Sequence, residues 1–201
     1  MITFAKHQLR AALTHAPSTE IRYYLNGVYL EFTEPGDIHI VATDGHRMFC
    51  GLIFAKDARW TDAPQKGPFS MIVPYAAIKA ATKGNGGVTL SALPDGRYSL
   101  GDSIFTPIDG CFLDWRRFVP AVSGPDEPAQ YNWQFIADAG TAIKAWYGSK
   151  RCIGVLRQHG FGPGLMLSPD GAAFCLIMPM HKDVVSADPF RPCPYESPKE
   201  A

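Results

Sequence analysis

The chain has 201 residues, of which 46% are apolar and 19% are charged. This length suits one ordinary domain or two small ones, and the apolar fraction is too high for a chain kept disordered by charge. Nineteen lysines and arginines balance nineteen aspartates and glutamates, so a nucleic-acid role would require the charges to be sorted onto different faces.

Several other classes of protein are disfavoured by simple patterns. No apolar run reaches the ~20 residues of a membrane helix, so we expect no membrane association. The N-terminus lacks the features of a signal peptide, which indicates a cytoplasmic location. The five cysteines are scattered without a C-x-x-C pair, and the six histidines lack ligand spacing, so we expect no metal and no cofactor.

The first fifty-four residues predict one strand, one helix and three strands. Leu9, Ala12 and Leu13 fall on one side of a helix that Pro17 ends. Aromatic and branched residues then predict strands separated by the turn at 34–37. The predicted elements are a strand at 1–4, a helix at 6–15 and strands at 22–32, 38–42 and 47–54.

The same order of elements recurs twice. After a polar linker at 56–68, we predict a strand at 69–73, a helix from Pro74 to about Lys83, and strands at 88–93, 98–100 and 103–107. After a junction at 119–128, we predict a strand at 131–135, a helix from 136 to about 147, and strands near 152–157, 164–167 and 172–178. A single unit cannot cover its own apolar surfaces, so two units make a domain and the third needs another partner.

These patterns together predict an α+β fold built from three βαβββ units. We expect a two-unit domain at 1–120, a single unit at 121–182 and a proline-rich flexible tail at 183–201. The unpartnered third unit further predicts that the chain associates with other copies of itself.

Basic residues concentrate on the three predicted helices and their ends, against one acid, Asp138. If the helices share one side of the assembly, that side forms a basic lane beside an acidic exterior. The alternative is that these are ordinary solvated helix faces. The basic residues are Lys6, Arg10, Lys79, Lys83, Lys144, Lys150 and Arg151.

Asp44 and His46 are the first candidates for an acid–base pair. Gly45 between them is typical of a tight turn, in which such side chains bind the backbone instead. A hydrolase using Asp44 and His46 is therefore the last of the functions that we consider.

Several segments resemble the bacterial sliding clamp, the β subunit of DNA polymerase III. Residues 22–27 and 41–48 are similar to consecutive hairpin segments of its middle domain, and 70–74, 101–106 and 114–120 resemble that domain through to its end. Met178-Pro179-Met180 resembles the terminal motif of the family. The chain is much shorter than a clamp subunit and looks like a truncated version, the middle domain joined to half of the last. A six-domain ring would therefore need more than two chains.

The resemblance implies a binding site for peptides. In that family, short linear motifs of polymerases and repair factors dock in an apolar pocket between the middle and last domains. Leu25, Thr43 and Leu176 could equally be ordinary core residues. By motif match, the pocket residues are Leu25, Thr43, Gly45, His46, Arg47, Met48, Pro120, Leu176, Met178, Pro179 and Met180.

The resemblance also implies sequence-independent contacts with duplex DNA, because the family turns its helices toward the duplex. Tyr23 and Tyr24 could instead be buried strand aromatics. The candidate DNA-binding residues are Lys6, Arg10, Tyr23, Tyr24, Lys79, Lys83, Lys144, Lys150 and Arg151. We predict a non-enzymatic, self-associating, clamp-like replication protein. The alternative is a regulator that sequesters clamp-binding peptides without encircling DNA.

Overall fold

The computed structural model describes residues 1–33, 36–60, 68–120, 130–148, 155–157 and 162–180. Within these residues, helices pack with two antiparallel sheets. No helix in the described part of the chain is long and apolar enough to cross a membrane. The predicted tail at 183–201 and most of the predicted junction at 119–128 lie outside the described residues.

The first unit follows the predicted order of elements. It comprises strand β1 at Ile2–Ala5, helix α1 at Lys6–Leu13, and strands β2 at Gly27–Phe32, β3 at Ile38–Thr43 and β4 at Arg47–Ile53. The strand predicted from Arg22 begins later, because Tyr23–Leu25 forms a 3-10 helix. Asn26 stabilises this turn, since its side chain accepts a hydrogen bond from the Glu20 N–H at 2.6 Å and donates one to the Glu20 carbonyl at 3.0 Å.

The second unit contains one strand that the sequence did not predict. It comprises β5 at Arg59–Trp60, β6 at Phe69–Pro74, helix α2 at Tyr75–Ala81, β7 at Gly87–Ala92, β8 at Tyr98–Leu100 and β9 at Ser103–Phe105. Strand β5 lies inside the predicted linker and pairs with Ile2 and Thr3 of β1. Pro74 has extended dihedral angles, so it ends β6 and helix α2 begins one residue later than predicted.

The third unit corrects one prediction. It comprises helix α3 at Trp133–Trp146 and strands β10 at Val155–Arg157, β11 at Gly164–Leu167 and β12 at Ala173–Ile177. The strand predicted at 131–135 is wrong, because the helix already begins at Trp133. Asn132 caps it, with its side-chain oxygen accepting a hydrogen bond from the Gln134 N–H at 2.9 Å.

The first two units exchange their leading strands. The five-stranded sheet has the order β5-β1-β7-β8-β9, and the seven-stranded sheet has the order β10-β11-β12-β4-β3-β2-β6. Strand β1 of the first unit thus pairs with β7 of the second, while β6 of the second pairs with β2 of the first. Because each sheet contains a strand of the other unit, neither unit can separate without breaking backbone hydrogen bonds.

The third unit joins the fold through antiparallel pairing of β12 with β4. In this register Leu176 lies opposite Met48, and Ala173 lies opposite Gly51. The ring of Trp146 on α3 packs over Gly51, where a Cβ atom would lie 2.7 Å from Cε3 and nearer still to two other ring atoms. The glycine therefore lets the third helix approach the sheet of the first unit closely.

Side chains of β4 alternate between two apolar clusters. Phe49 and Ile53 belong to the main core, which lies between the sheets and the helices. Met48 and Cys50 point to the opposite face, where an outer cluster forms. The outer cluster consists of Leu25, Val41, Met48, Cys50, Ile72, Phe112, Trp115, Leu165 and Leu176.

The chain at 106–120, which we call the outer segment, covers this outer cluster. The Ile108 N–H donates to the Ile72 carbonyl at 2.9 Å, and the Phe112 ring stacks on Tyr29 with centroids 4.6 Å apart. A second 3-10 helix at Trp115–Phe118 follows. These contacts fix the outer segment against β6 and β2, the strands that carry Ile72 and Tyr29.

Candidate functional site

A pocket of about 290 Å³ lies where the outer segment, the β3–β4 hairpin and the end of β12 meet. Its floor is almost fully buried, with Leu25 at 1% exposure and Met48 at 4%, whereas Phe118 and Met178 at its mouth are 50% and 41% exposed. The pocket is therefore a deep apolar hollow with an open entrance. It is lined by Arg22, Tyr24, Leu25, Thr43, Gly45, Arg47, Met48, Leu113, Phe118, Leu176 and Met178.

The turn between β3 and β4 is held by its own side chains. The Asp44 carboxylate accepts hydrogen bonds from the N–H groups of His46 at 2.9 Å and Arg47 at 3.0 Å. The Thr43 hydroxyl accepts one from the Gly45 N–H at 3.0 Å and donates one to the Arg47 carbonyl at 2.7 Å. These bonds fix the turn, and they occupy the carboxylate that an acid–base pair would need.

Gly45 suits this turn because of its backbone conformation. Its φ of +90° lies in the left-handed region that favours glycine. A Cβ atom there would also lie 2.7 Å from the guanidinium nitrogens of Arg22, which lie at the end of a flexible side chain and can shift. Arg22 crosses the turn and donates to the Asp44 carbonyl at 3.0 Å, so it ties the first 3-10 helix to the hairpin.

Arg47 connects the hairpin with the third unit. Its Nε donates to Asp44 Oδ2 at 2.9 Å, its guanidinium also pairs with Asp138 on α3, and its Cζ lies 4.8 Å from the Phe135 ring centroid. Burial opposes the charge on Arg47, but the hydrogen bonds that its guanidinium donates to Asp44 and Asp138 outweigh this effect and raise its pKa. One wall of the pocket is thus braced by an ion-pair network between two units.

Burial also opposes the charge on Asp138. Hydrogen bonds from the Gln134 amide, at 2.9 Å, and from Arg47 outweigh this effect, so the pKa of the carboxyl falls below its ordinary value. Asp138 is therefore held ionised, as its pairing with Arg47 requires.

The last described residues of the chain pass along the pocket mouth. The Met178 N–H donates to the His46 carbonyl at 2.8 Å, which extends the pairing of β12 with β4 by one step. Two residues later, the Met180 N–H donates to the Gln130 carbonyl at 2.7 Å. Methionine side chains are flexible and polarisable, so Met178 makes an adaptable wall for apolar groups.

The outer segment supplies the facing wall through Leu113 and Phe118. Arg116 holds this segment, because its guanidinium donates to both carboxylate oxygens of Glu31 at 3.0 and 2.8 Å and lies 4.2 Å from the Trp115 ring centroid. Such bidentate pairs are geometrically specific. Phe118 is thereby kept at the pocket mouth.

No family model matches the sequence. Curated β sliding clamps match it, among them that of Pseudomonas aeruginosa at 36% identity over 107 residues and that of Escherichia coli K12 at 32% over 114 residues. These matches cover 50% and 54% of this chain but only 28% and 29% of the clamps.

Solved structures extend the likeness to most of the chain. The DNA polymerase III β subunit of P. aeruginosa superposes with a TM-score of 0.66, at 17% identity, over 90% of this chain and 66% of its own. The Helicobacter pylori β clamp bound to a DNA ligase peptide gives a TM-score of 0.69, at 15% identity, with the same coverages. The chain resembles the bacterial sliding clamps and has their fold. The predicted α+β clamp fold is confirmed, in a chain that spans well under the full length of these clamps.

The clamp fold brings most of the predicted pocket residues together. The pocket lining includes Leu25, Thr43, Gly45, Arg47, Met48, Leu176 and Met178. The other four predicted residues, His46, Pro120, Pro179 and Met180, are not among the lining residues. Leu25 and Leu176 are core residues and pocket-lining residues at the same time, because they belong to the outer cluster and also form the pocket floor.

Four lining residues were not among the predicted pocket residues. Arg22 and Phe118 lie within segments on which the resemblance was recognised, Leu113 immediately precedes one of them, and Tyr24 was considered for DNA rather than for the pocket. The available signal in the sequence was that the apolar residues Leu113 and Phe118 stand on either side of Asp114-Trp115-Arg116-Arg117.

The predicted DNA-binding cations differ in their surroundings. Lys6 Nζ donates to the Lys83 carbonyl at 3.0 Å, and Arg10 donates to the Gly84 carbonyl at 2.9 Å, so both bind the backbone that follows α2. Such bonds satisfy carbonyls at a helix end and join α1 to α2.

The remaining predicted DNA contacts are spread over the surface. Lys79, Lys83 and Lys144 are exposed, and Lys79 Nζ lies 5.7 Å from the Tyr75 ring centroid. Tyr23 is 59% exposed rather than a buried strand aromatic. Lys150 and Arg151 lie outside the described residues.

Proposed function

We propose that this chain is a clamp-related DNA replication protein whose pocket binds short linear peptides of polymerases or repair factors. The observation that carries the proposal is the deep apolar hollow between the first unit's hairpin and the chain's final described strand. Its volume of about 290 Å³ is at the lower end of the roughly 300–1,000 Å³ of ligand pockets, which suits one or two apolar side chains of an extended segment.

The shape of the pocket supports an extended peptide as the ligand. Buried apolar residues on the floor can accept an anchor side chain, and exposed Phe118 and Met178 at the mouth can cover it. The H. pylori β clamp, which shares this fold, has been solved with a DNA ligase peptide bound.

The DNA ligase peptide of the H. pylori clamp is a direct probe. We expect it, labelled with fluorescein, to bind the full chain in an anisotropy titration. Met178→Ala and Phe118→Ala should each weaken binding about tenfold, the usual cost of removing an anchoring contact. Both residues have exposed side chains outside the buried core, so the fold should persist in each variant.

Ile104→Ala is the matched control, because Ile104 is 56% exposed and lies on β9 in the other sheet. Equal affinities of the two pocket variants and the control variant would refute the pocket assignment. Met180→Ala should have a smaller effect than Met178→Ala, since only Met178 is among the lining residues.

We further propose sequence-independent binding of duplex DNA by the helix surface, through the exposed lysines Lys79, Lys83 and Lys144. Three phosphate contacts would give a slope of about −3 in a plot of log affinity against log salt concentration. Reversing these charges to glutamate should abolish that dependence. A matched triple change to arginine should preserve it.

A second candidate function is a regulator that sequesters clamp-binding peptides without encircling DNA. The hydrogen bonds of Lys6 and Arg10 to backbone carbonyls favour it, because they engage two cations that would otherwise face DNA. Peptide binding without detectable binding of duplex DNA at 50 mM salt would select this function.

We propose that the chain has no catalytic activity and associates with further copies of itself. The backbone contacts of Asp44 support the first proposal. Among the described pairings, β9 and β10 each have a partner on one side only, and Ile104, Val155 and Leu156 on them are exposed, which supports the second. A sedimentation mass that stays monomeric at high concentration would refute self-association. The cytoplasmic location remains a prediction from the sequence.

A further inference from the structure

The described chain ends beside the mouth of the pocket. Met178 lines the pocket, and Met180, the last described residue, follows two residues later. Two residues span at most about 7 Å, so any segment that follows Met180 starts next to the hollow. The sequence that follows contains acidic and apolar residues, among them Asp188-Pro189-Phe190.

We propose that residues 188–190 of the same chain occupy this pocket, with the Phe190 ring as the apolar anchor. The inference rests on the proposed function, since it gives the peptide-binding pocket an internal competitor. Phe190 lies ten residues after Met180, and ten residues can span about 33 Å when extended. The tether is therefore long enough to reverse direction and return to the pocket.

The chemistry of the segment matches that of the pocket. Phenylalanine offers a large apolar surface for the hollow that Leu25, Met48 and Leu176 form. Pro189 biases Asp188 toward an extended conformation, so the three residues suit the shape of a docked strand. The segment thus resembles the ligand class proposed for the pocket.

Charge complementarity supports the same occupant. The pocket lining contains two arginines and no acidic residue among the described residues that form it. Arg47 is already paired with Asp44 and Asp138, whereas the side chain of Arg22 is 44% exposed and its ion pair with Glu20 is long, at 3.6 Å. Asp188, two residues before the anchor, can approach Arg22 at the mouth.

Competition from the tail should be measurable, because a tether of about ten residues gives an effective concentration on the order of 1 mM. A tail contact with a dissociation constant of about 100 μM would then reduce the affinity of the pocket for external peptides about tenfold. We expect Phe190→Ala in the full chain to tighten binding of the labelled ligase peptide by this factor. Tyr195→Ala, an aromatic change in the same tail, is the matched control and should leave the affinity unchanged.

A second readout needs no external peptide. Methionine methyl groups labelled with ¹³C report on the pocket, because Met48 and Met178 line it while Met1 and Met71 do not. We expect Phe190→Ala to shift the resonances of Met48 and Met178, because an aromatic ring leaves their surroundings, and to leave those of Met1 and Met71 unchanged. Tyr195→Ala should shift none of the four.

The outcomes separate this inference from the proposed function. Unchanged Met48 and Met178 resonances in Phe190→Ala would overturn tail docking, whatever the peptide does. Shifted resonances without peptide binding to any variant would support tail docking and refute the peptide-binding function. A shift difference that disappears on dilution would place the tail of a second copy in the pocket and overturn the intramolecular contact.

Discussion

Replacing Gly51 with alanine tests how the third unit is attached to the first. The new Cβ would lie 2.7 Å from Cε3 of Trp146 and nearer still to two other ring atoms, a separation that side chains do not tolerate. The ring cannot easily move away, because Trp146 is only 4% exposed and its centroid lies 5.7 Å from that of Phe49. Either helix α3 or strand β4 must shift.

The expected cost is at the upper end of the usual range for overpacking, about 3 kcal/mol. A free energy of unfolding of ~5–15 kcal/mol would fall to about 2–12 kcal/mol, so the chain should still fold. With a denaturant slope of ~2 kcal/mol/M in urea, the midpoint should fall by about 1.5 M.

Gly140→Ala provides a control that should raise the free energy of unfolding instead of lowering it. Gly140 lies within α3, and nothing lies within 4 Å of the position of its Cβ. Alanine in a helix interior should therefore raise the free energy of unfolding by about 0.5–1 kcal/mol. Urea unfolding followed by tryptophan fluorescence measures both changes. A Gly51→Ala variant within 0.5 kcal/mol of the parent chain would refute the close packing of α3 on β4.

Two further predictions concern how the free energy of unfolding depends on pH. Asp138→Asn should lower the free energy of unfolding at pH 7 by about 1–2 kcal/mol, because it breaks a partly buried ion pair with Arg47. Despite burial, hydrogen bonds from Gln134 and Arg47 hold the folded pKa of Asp138 below its ordinary value, so in urea titrations this loss should shrink as the pH falls below about 5 towards the folded pKa; a loss that does not shrink with falling pH would contradict the pairing. Burial, and to a smaller extent the charge of Arg47, lowers the pKa of His15 from 6.5 to about 4 in the folded chain. Because the unfolded chain therefore binds the proton more tightly, the free energy of unfolding should fall by roughly 3 kcal/mol as the pH drops from 6.5 to 4. His15→Gln should flatten that decline, and an unchanged slope would show that another group causes it.

The repeated order of strands and helices could be predicted because local signals carry it. Alternating apolar residues mark the strands, and turn residues such as Gly96 adopt positive φ where the sequence indicates hairpins. The prediction of a strand at 131–135 was wrong because the aromatic residues Tyr131, Trp133 and Phe135 alternate with polar ones, as in a strand. The Asn132 cap and packing of the helix override that period.

Features that depend on distant partners could not be predicted. Strand β5 has only two residues and forms because β1 offers it an edge. Phe118 and Leu113 reach the pocket because Ile108 binds Ile72 and Arg116 binds Glu31, contacts far apart in sequence. Counts of basic residues likewise gave no sign that Lys6 and Arg10 would bind carbonyls after α2.

The pocket and the attachment of the third unit depend on the same strand pairing. Met48 and Leu176, opposite each other in β4 and β12, form part of the floor, and Met178 reaches the mouth by continuing that pairing to His46. A change that loosens β12 from β4 must therefore widen the pocket. We expect Gly51→Ala to weaken binding of the ligase peptide in anisotropy titrations as well as to destabilise the fold. Gly140→Ala should leave the affinity for the peptide unchanged. Full peptide affinity in a destabilised Gly51→Ala chain would show that the pocket forms without this junction.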